Sequence, residues 1–255
     1  ALAIFLIMLV VMMQQVKVAP FAPESNRDRF LHAHFMSITN KNWGGGSSNG
    51  PMGIKTAREC FQSLKTPEAV TIYTCMVVST PVNLSGQPAV GIDLLQTDDV
   101  FWHVFDFSFT AGKPYDKATF DAGLPVAVIT ESVARRLFQT TDAVGREFLL
   151  NHAPYKVEGV VKDVSTLASV AYGQVWVPYT STEITKDTWS DDHMGMMSCT
   201  ILARSRDDFD AIRAEAERRR QEYNSIIGED GYELIYRNRP YDQEKSSIAF
   251  SANQE

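Results

Sequence analysis

The sequence predicts an α+β fold: a split β-α-β layer, ferredoxin-like in pattern, interrupted by a β-rich insert. Three observations point to it. A strand-helix-strand pattern between about residues 29 and 78 returns between about 196 and 236. Each unit carries one apolar helix stripe and is too small to bury it alone, so the two would share one sheet with both helices on one face. More than a hundred residues separate the units, and they are dominated by short β-like runs. A length of 255 residues suits one or two domains, and 44% hydrophobic with 22% charged residues excludes a wholly disordered chain.

Taken in order, the chain opens on thirteen apolar residues, Ala1 to Met13, ended by Gln14, Gln15 and Lys17. As a helix this run is ~20 Å long, short of the ~30 Å of a bilayer core. It lacks the basic n-region of a signal peptide. Residues 1–17 are therefore read as the C-terminal part of a transmembrane helix that begins before Ala1. A buried core helix or strand and a residual signal sequence are the alternatives. Pro20 and Pro23 punctuate the exit from this element.

The first unit of the layer is assigned to residues 24–80. Arg29 to Thr39 alternates as a strand, with Phe30, His32, His34, Met36 and Ile38 on one face. A Gly-rich loop, Gly44 to Gly50, follows. Pro51 can occupy the first turn of a helix, in which Ile54, Ala57, Phe61 and Leu64 recur at helical spacing. Val70 to Val78 is β-branched and strand-like. The second unit is assigned to residues 195–240. Met196 to Ala203 reads as a strand, and Ser205 with Asp208 resembles a capping box. Phe209, Ile212, Ala216 and Tyr223 stripe a helix from Arg206 to about Ile226, and Tyr232 to Tyr236 is the closing strand. Residues 241–255 are read as a linker toward a next transmembrane helix.

The insert, residues 81–194, has strand-like runs at Ala89 to Ile92, Pro125 to Ile129, Arg146 to Leu150, Tyr155 to Val161 and Gln174 to Val177. Asn151 to Pro154 looks like a hairpin loop. One helix, Glu131 to Gln139, starts at Thr130 as N-cap and buries Val133, Ala134, Leu137 and Phe138.

Candidate chemistry is sparse. A net charge of -7 argues against nucleic-acid binding, because surplus cations are what displace phosphate counterions. Gly45 and Gly50 have phosphate-loop spacing, but Pro51 and Met52 stand where Lys and Ser/Thr are needed. Gly44 and Gly46 are followed by Asn49 instead of the third glycine of a dinucleotide fingerprint. His32 and His34 could share a metal, yet no third ligand is identifiable near them in sequence. Asp191, Asp192 and His193 read as a solvated loop cluster. Arg218, Arg219 and Arg220 lie among Glu215, Glu217 and Glu222 and read as a salt-bridged helix face. The aromatic run Phe101 to Phe109 reads as packing between subdomains. No catalytic, cofactor-binding or metal-ligating residue is assigned, and no cofactor. Cys60, Cys75 and Cys199 have no C-x-x-C spacing and are expected to be buried, reduced thiols; a disulfide, were there one, would join Cys75 to Cys199.

Several segments of the insert, in order, carry a resemblance. They are Val90-Gly91-Ile92-Asp93, Phe107 to Tyr115, Val126 to Phe138, Ala143-Val144-Gly145-Arg146-Glu147-Phe148, Tyr155 to Asp163, and Val175-Trp176-Val177-Pro178. Together they resemble the MacB-like periplasmic core domain of ABC transporter permeases, with Lys113 where the family usually has Arg. The resemblance implies a porter-type α/β subdomain with an inserted β-rich one, outside the cytoplasmic membrane between the first and second transmembrane helices. It implies a non-catalytic part that couples cytoplasmic ATP hydrolysis to export or release of a substrate by mechanical transmission. The implied partners are an ABC ATPase subunit or domain and a second permease copy, with a periplasmic adaptor as a further candidate. The rival classes are a membrane-anchored extracytoplasmic ligand-binding protein or hydrolase, and a free-standing adhesion or assembly module.

Overall fold

The computed structural model describes residues 2–236 and 239–243, the side chains of Gln14, Lys17 and Val18 excepted. Helix α1 spans Leu2–Val18, and an irregular arm leads to strands β1 (Phe30–Ala33), β2 (Met36–Asn40) and β3 (Ser47–Gly50). Helix α2 (Ile54–Ala57) runs on into a wider π-type turn over Arg58–Gln62. Strands β4 (Ala69–Thr74), β5 (Val78–Asn83) and β6 (Val90–Thr97) follow, then α3 (Phe101–Val104), β7 (Phe109–Gly112), α4 (Lys117–Asp121), β8 (Val126–Thr130) and α5 (Glu131–Phe138). The chain continues through β9 (Glu147–Leu150), β10 (Ala153–Val161), β11 (Val175–Pro178), the hairpin β12 (Thr188–Trp189) and β13 (Met194–Gly195), and β14 (Met197–Leu202). It closes with α6 (Phe209–Ile227), β15 (Tyr232–Ile235) and β16 (Tyr241–Asp242).

Four strands make an antiparallel layer in the order β4-β14-β1-β16. Leu31 lies opposite Ile201, and Cys199 opposite Ile72, so these side chains share one face. On that face they form one core with Ala57, Cys60 and Phe61 from the α2 segment and Phe209, Ile212, Ala216 and Tyr223 from α6. Ser205 and Asp208 do form a reciprocal capping box, which satisfies the first backbone donors of the segment leading into α6.

Three expectations for the layer are corrected. The single strand expected from Arg29 to Thr39 breaks at His34 and Phe35, and β2 leaves the layer to pair with β3 and β15. Tyr232 to Tyr236 therefore does not close the layer. Its place beside β1 is taken by β16, inside the segment expected to be a linker; residues 244–255 of that segment lie outside the described residues. Burial explains the diversion, since Ile38 of β2 and Leu234 of β15 lie opposite each other and are both fully buried in the helix-side core. Lastly, the helix expected from Pro51 begins only after Gly53. A Cβ at Gly53 would sit 2.0 Å from the carbonyl oxygen of Asp192, so this position tolerates glycine alone.

Six of the other strands close on themselves, with β7 paired to β10 outside the ring. Strand β6 pairs with β5 and, in parallel, with β11; β11 pairs with β8, β8 with β10, β10 with β9, and β9 with β5. The result is a six-stranded, barrel-like sheet without free edges among these strands. Val82, Ile92, Phe148, Val157, Val160 and Val175 fill its core together with Val133, Ala134 and Leu137 of α5. Thr130 caps α5 by accepting from the Val133 amide at 3.4 Å. Asn151 and His152 take positive φ values of 47° and 69°, forming a two-residue turn that suits the twist of a hairpin. Strand β5 opens at Val78, so the barrel begins slightly before the boundary at Pro81 that the sequence suggests.

Helix α1 is 17 residues long and its large apolar residues from Leu2 to Met13 are all exposed. No helix among the described residues is long and apolar enough to cross a membrane.

The cysteines are all free; Cys60 and Cys199 are buried, whereas Cys75, expected to be buried, is only partly so. Burial pushes the Cys60 thiol up to about 12 and the Cys75 thiol up to about 11. Thiolate is the reactive form, so native reactivity should be low. We expect all three thiols to react with an aromatic disulfide reagent in denaturant, and at most Cys75, slowly, in the folded protein at pH 8. Only one reactive thiol in denaturant would mean a disulfide.

Candidate functional site: the junction of arm, layer and barrel

Residues 19–29 form an arm between α1 and the first strand of the layer. Its charged residues are the surprise. Glu24 is fully buried and Arg27 is 1% exposed, and their side chains pair at 2.6 Å. A buried ion pair persists only when its remaining hydrogen-bonding capacity is met. Here Glu24 Oε1 accepts from the backbone amides of Val170 and Ala171, both at 2.9 Å. Arg27 donates to the carbonyls of Val16 and Ala19 at the end of α1, at 3.5 and 3.2 Å, and to the carbonyl of Leu167. The Phe21 ring lies 4.2 Å from the guanidinium carbon. The amide of Asp106 donates to the Pro23 carbonyl at 2.8 Å. Thus two side chains, the nearer of them three residues upstream of β1, join the end of α1 to the loop before β11.

The way out of the layer lies next to the way in. Leu31 is opposite Asp242 and His32 opposite Tyr241, so β16 runs antiparallel to β1 and heads back toward the arm. His32 Nε2 lies 2.9 Å from Gln243 Oε1, and Arg213 Nε donates to the Pro240 carbonyl at 2.9 Å. On the same sheet face, His32 Nδ1 and the Tyr73 hydroxyl both meet Thr200 Oγ1, at 3.1 and 2.7 Å. His32 is held below its ordinary range by burial. Burial and neighbouring His32 bring His34 down to about 3. Both imidazoles are therefore neutral near pH 7. The two rings are 5.5 Å apart, but His32 already spends its nitrogens on Thr200 and Gln243. Among the described residues, no group of three or more His, Cys, Asp or Glu side chains could hold a metal.

Layer and barrel meet along a seam. Strands β4 and β6 share one residue pair, Tyr73 opposite Thr97. Next to it, buried Asp98 accepts from Thr71 Oγ1 at 2.6 Å, the Ile72 amide at 2.7 Å and the Phe101 amide at 2.9 Å. The aromatic run packs into the same seam, as its composition suggests. Phe101 and Phe105 share a core with Phe30, Tyr73 and Leu202 of the layer and with Leu95, Val128 and Trp176 of the barrel. An open cleft of about 500 Å³ lies at the seam's outer end, between Leu64, Pro67 and Val70 on one side and Asp99, Val100 and His103 on the other.

Burial pushes Asp98 up to about 7 despite three donors that favour its charged form. The sign follows from linkage: the folded state holds the proton more tightly than the unfolded chain, so this group's contribution is fully present below about pH 4 and is lost as pH rises to about 7. We expect the wild type to lose stability relative to Asp98→Asn between pH 4 and pH 8, as read from urea unfolding. Parallel pH profiles would contradict this.

The other candidates are structural in their contacts. Gly44 and Gly45 take positive φ in the turn between β2 and β3, so the Gly-rich loop leads into a strand and not a helix. His193, expected in a solvated cluster, is 3% exposed and its Nδ1 lies 2.8 Å from the Tyr223 hydroxyl. Asp191 accepts from Tyr232 at 2.7 Å. Arg219 pairs with Glu222 and Arg220 with Glu217, while Arg218 is exposed. Glu215 departs from that face: it is 6% exposed and accepts from the amides of Lys65 and Thr66. Sequence reasoning passed over Glu24, Arg27, Asp98 and Gln243. The only signal for the first two is opposite charge at a spacing of three, beside a proline-rich exit.

Comparison with known proteins agrees with this architecture. Over 139 residues, 54% of the chain, it is 26% identical to an uncharacterized ABC transporter permease, YknZ of Bacillus subtilis. Over 85 residues it is 35% identical to the macrolide export ATP-binding/permease protein MacB of Burkholderia cenocepacia. The matches span 33% and 12% of those relatives' own lengths. Among solved structures, the extracellular domain of YknZ aligns with a TM-score of 0.56 at 15% identity, covering 80% of this chain and 99% of that one. A domain of a permease protein from Porphyromonas gingivalis aligns at 0.56 and 17% identity, covering 90% and 98%. The periplasmic region of MacB from Actinobacillus actinomycetemcomitans aligns at 0.54 and 17% identity, covering 87% and 93%. The family model of the MacB-like periplasmic core domain matches residues 1–219, and the chain belongs to that family.

Proposed function

We propose that this chain is the extracytoplasmic domain of an ABC transporter permease, and that it couples ATP hydrolysis on the cytoplasmic side to export or release of a substrate outside the membrane. The observation that carries the reading is the pairing of β1 with β16. The strand that receives the chain from α1 and the strand that returns it lie side by side, antiparallel, at one edge of the layer. A domain inserted between two membrane segments needs this hairpin-like placement of its ends. The uniformly exposed apolar surface of α1 suits lipid or a partner helix. Residues 24–77 and 195–243 act as a split β-α-β, porter-type subdomain; the order β4-β14-β1-β16 supports this. Residues 78–194 form the inserted barrel. ATP is hydrolysed by an ABC ATPase domain or subunit, and a second permease copy completes the transporter, with a periplasmic adaptor as a further partner.

The reading fixes which side of the membrane the barrel occupies. A cysteine introduced at exposed Val144 in the full-length protein should react with a membrane-impermeant maleimide in intact cells whose outer barrier has been made permeable. Labelling only after the cytoplasmic membrane is lysed would sink the proposal.

A further inference from the structure

We propose that Arg27 is the joint that makes α1 and the barrel turn as one body, so that a movement of α1 reaches the barrel through the arm. This rests on the permease reading above and names the residue through which that site would work.

The argument starts from what a guanidinium can do. Its donors lie in a rigid plane, so several fixed acceptors around it define one orientation. Arg27 has acceptors on three separate parts of the chain. Val16 and Ala19 supply carbonyls from the end of α1, Leu167 supplies one from the loop before β11, and Glu24 supplies a carboxylate from the arm itself. The carbonyls at a helix C-terminus lack intrahelical donors and carry the negative end of the helix dipole, so a buried cation there is favourable. Glu24 extends the connection by accepting from Val170 and Ala171, on the same loop as Leu167. Polar contact from the end of α1 therefore runs to the barrel loop through one ion pair that is shielded from water. The arm reaches the layer separately, through Arg29, which donates to the Ala203 carbonyl at 3.0 Å and to Glu68 at 2.9 Å, and through Phe30, where strand pairing to β14 begins. Layer and barrel are also joined at the seam, at the Tyr73–Thr97 pair, Asp98 and the core around Phe101 and Phe105, and the arm meets that seam at Asp106, whose amide donates to the Pro23 carbonyl. The Tyr73–Thr97 pair and the Asp98 bonds do not involve Arg27, so the Arg27 connection can be broken without them.

The test uses Arg27→Lys in the whole chain, in detergent micelles. Lysine keeps the buried charge opposite Glu24 but has no planar fork to hold three carbonyls. Spin labels on bio-orthogonal side chains at exposed Leu9 and Val144 report the distance from α1 to the barrel; labels at Val144 and Ile226 report barrel to layer. In the wild type both distributions should be narrow. In Arg27→Lys the first should at least double in width and the second should not change, with a melting temperature within a few degrees of wild type. Two narrow distributions in the variant would overturn the proposal. So would equal broadening of both, which would make Arg27 a general structural support. In the intact transporter, nucleotide should shift the α1-to-layer and barrel-to-layer distances together in the wild type and only the former in Arg27→Lys. If the barrel followed α1 equally in both proteins, the joint would be wrong and the permease reading would stand. If nucleotide moved neither in the wild type, the permease reading itself would fail.

Discussion

Replacing Arg27 by alanine is expected to cost the folded protein about 3–5 kcal/mol, the range seen when one partner of a buried ion pair is removed. The loss of contacts is the smaller part. The larger part is Glu24, which would remain fully buried with two amide donors but without its cation. Against a typical total of 5–15 kcal/mol, this is a large fraction of stability. The comparison is Arg135→Ala, which removes the Arg135–Glu131 pair on α5. That arginine is 58% exposed, so its expected cost is about 0.5 kcal/mol or less. Urea unfolding of the two variants in the same detergent checks the contrast. Equal, small costs would mean that water reaches Glu24 and that the pair is not the buried support described above.

The barrel was legible in the sequence and its closure was not. Runs such as Pro125 to Ile129 and Gln174 to Val177 coincide with β8 and β11 within a residue, because β-branched stretches bounded by turn residues announce strands locally. The capping residues Thr130 and Ser205 are also local signals, each acting within three residues. Which strand pairs with which is a non-local fact. Nothing in Val90–Thr97 says that it lies beside Val175–Pro178 in parallel, some eighty residues away. The layer misled for a similar reason. Tyr232–Ile235 has the composition of a closing strand, and burial of Leu234 against Ile38 draws it to β2 instead. Tyr241–Asp242 is too short to announce itself at all. At the candidate site, Glu24 and Arg27 look like ordinary surface charges, since charged side chains are seldom fully buried. Their role depends on carbonyls and amides that only the folded chain brings to them.

The second large effect concerns the transporter as a machine. If the domain works by moving, locking two copies together should stop the cycle, because conformational steps set the turnover of such machines. Helix α6 offers the positions. Ala214 and Gln221 lie on its exposed side, two turns apart, away from the buried stripe of Phe209, Ile212, Ala216 and Tyr223. Cysteines at Ala214 and Gln221 would be introduced into the full-length permease with partly buried Cys75 replaced by serine. The two copies would be crosslinked through them, and ATPase rate measured in liposomes before and after reductant. The account predicts that crosslinking lowers the ATPase rate several-fold and that reductant restores it. An efficiently crosslinked transporter that hydrolyses ATP at the unlocked rate would contradict the account, and would leave an anchored binding protein as the better description.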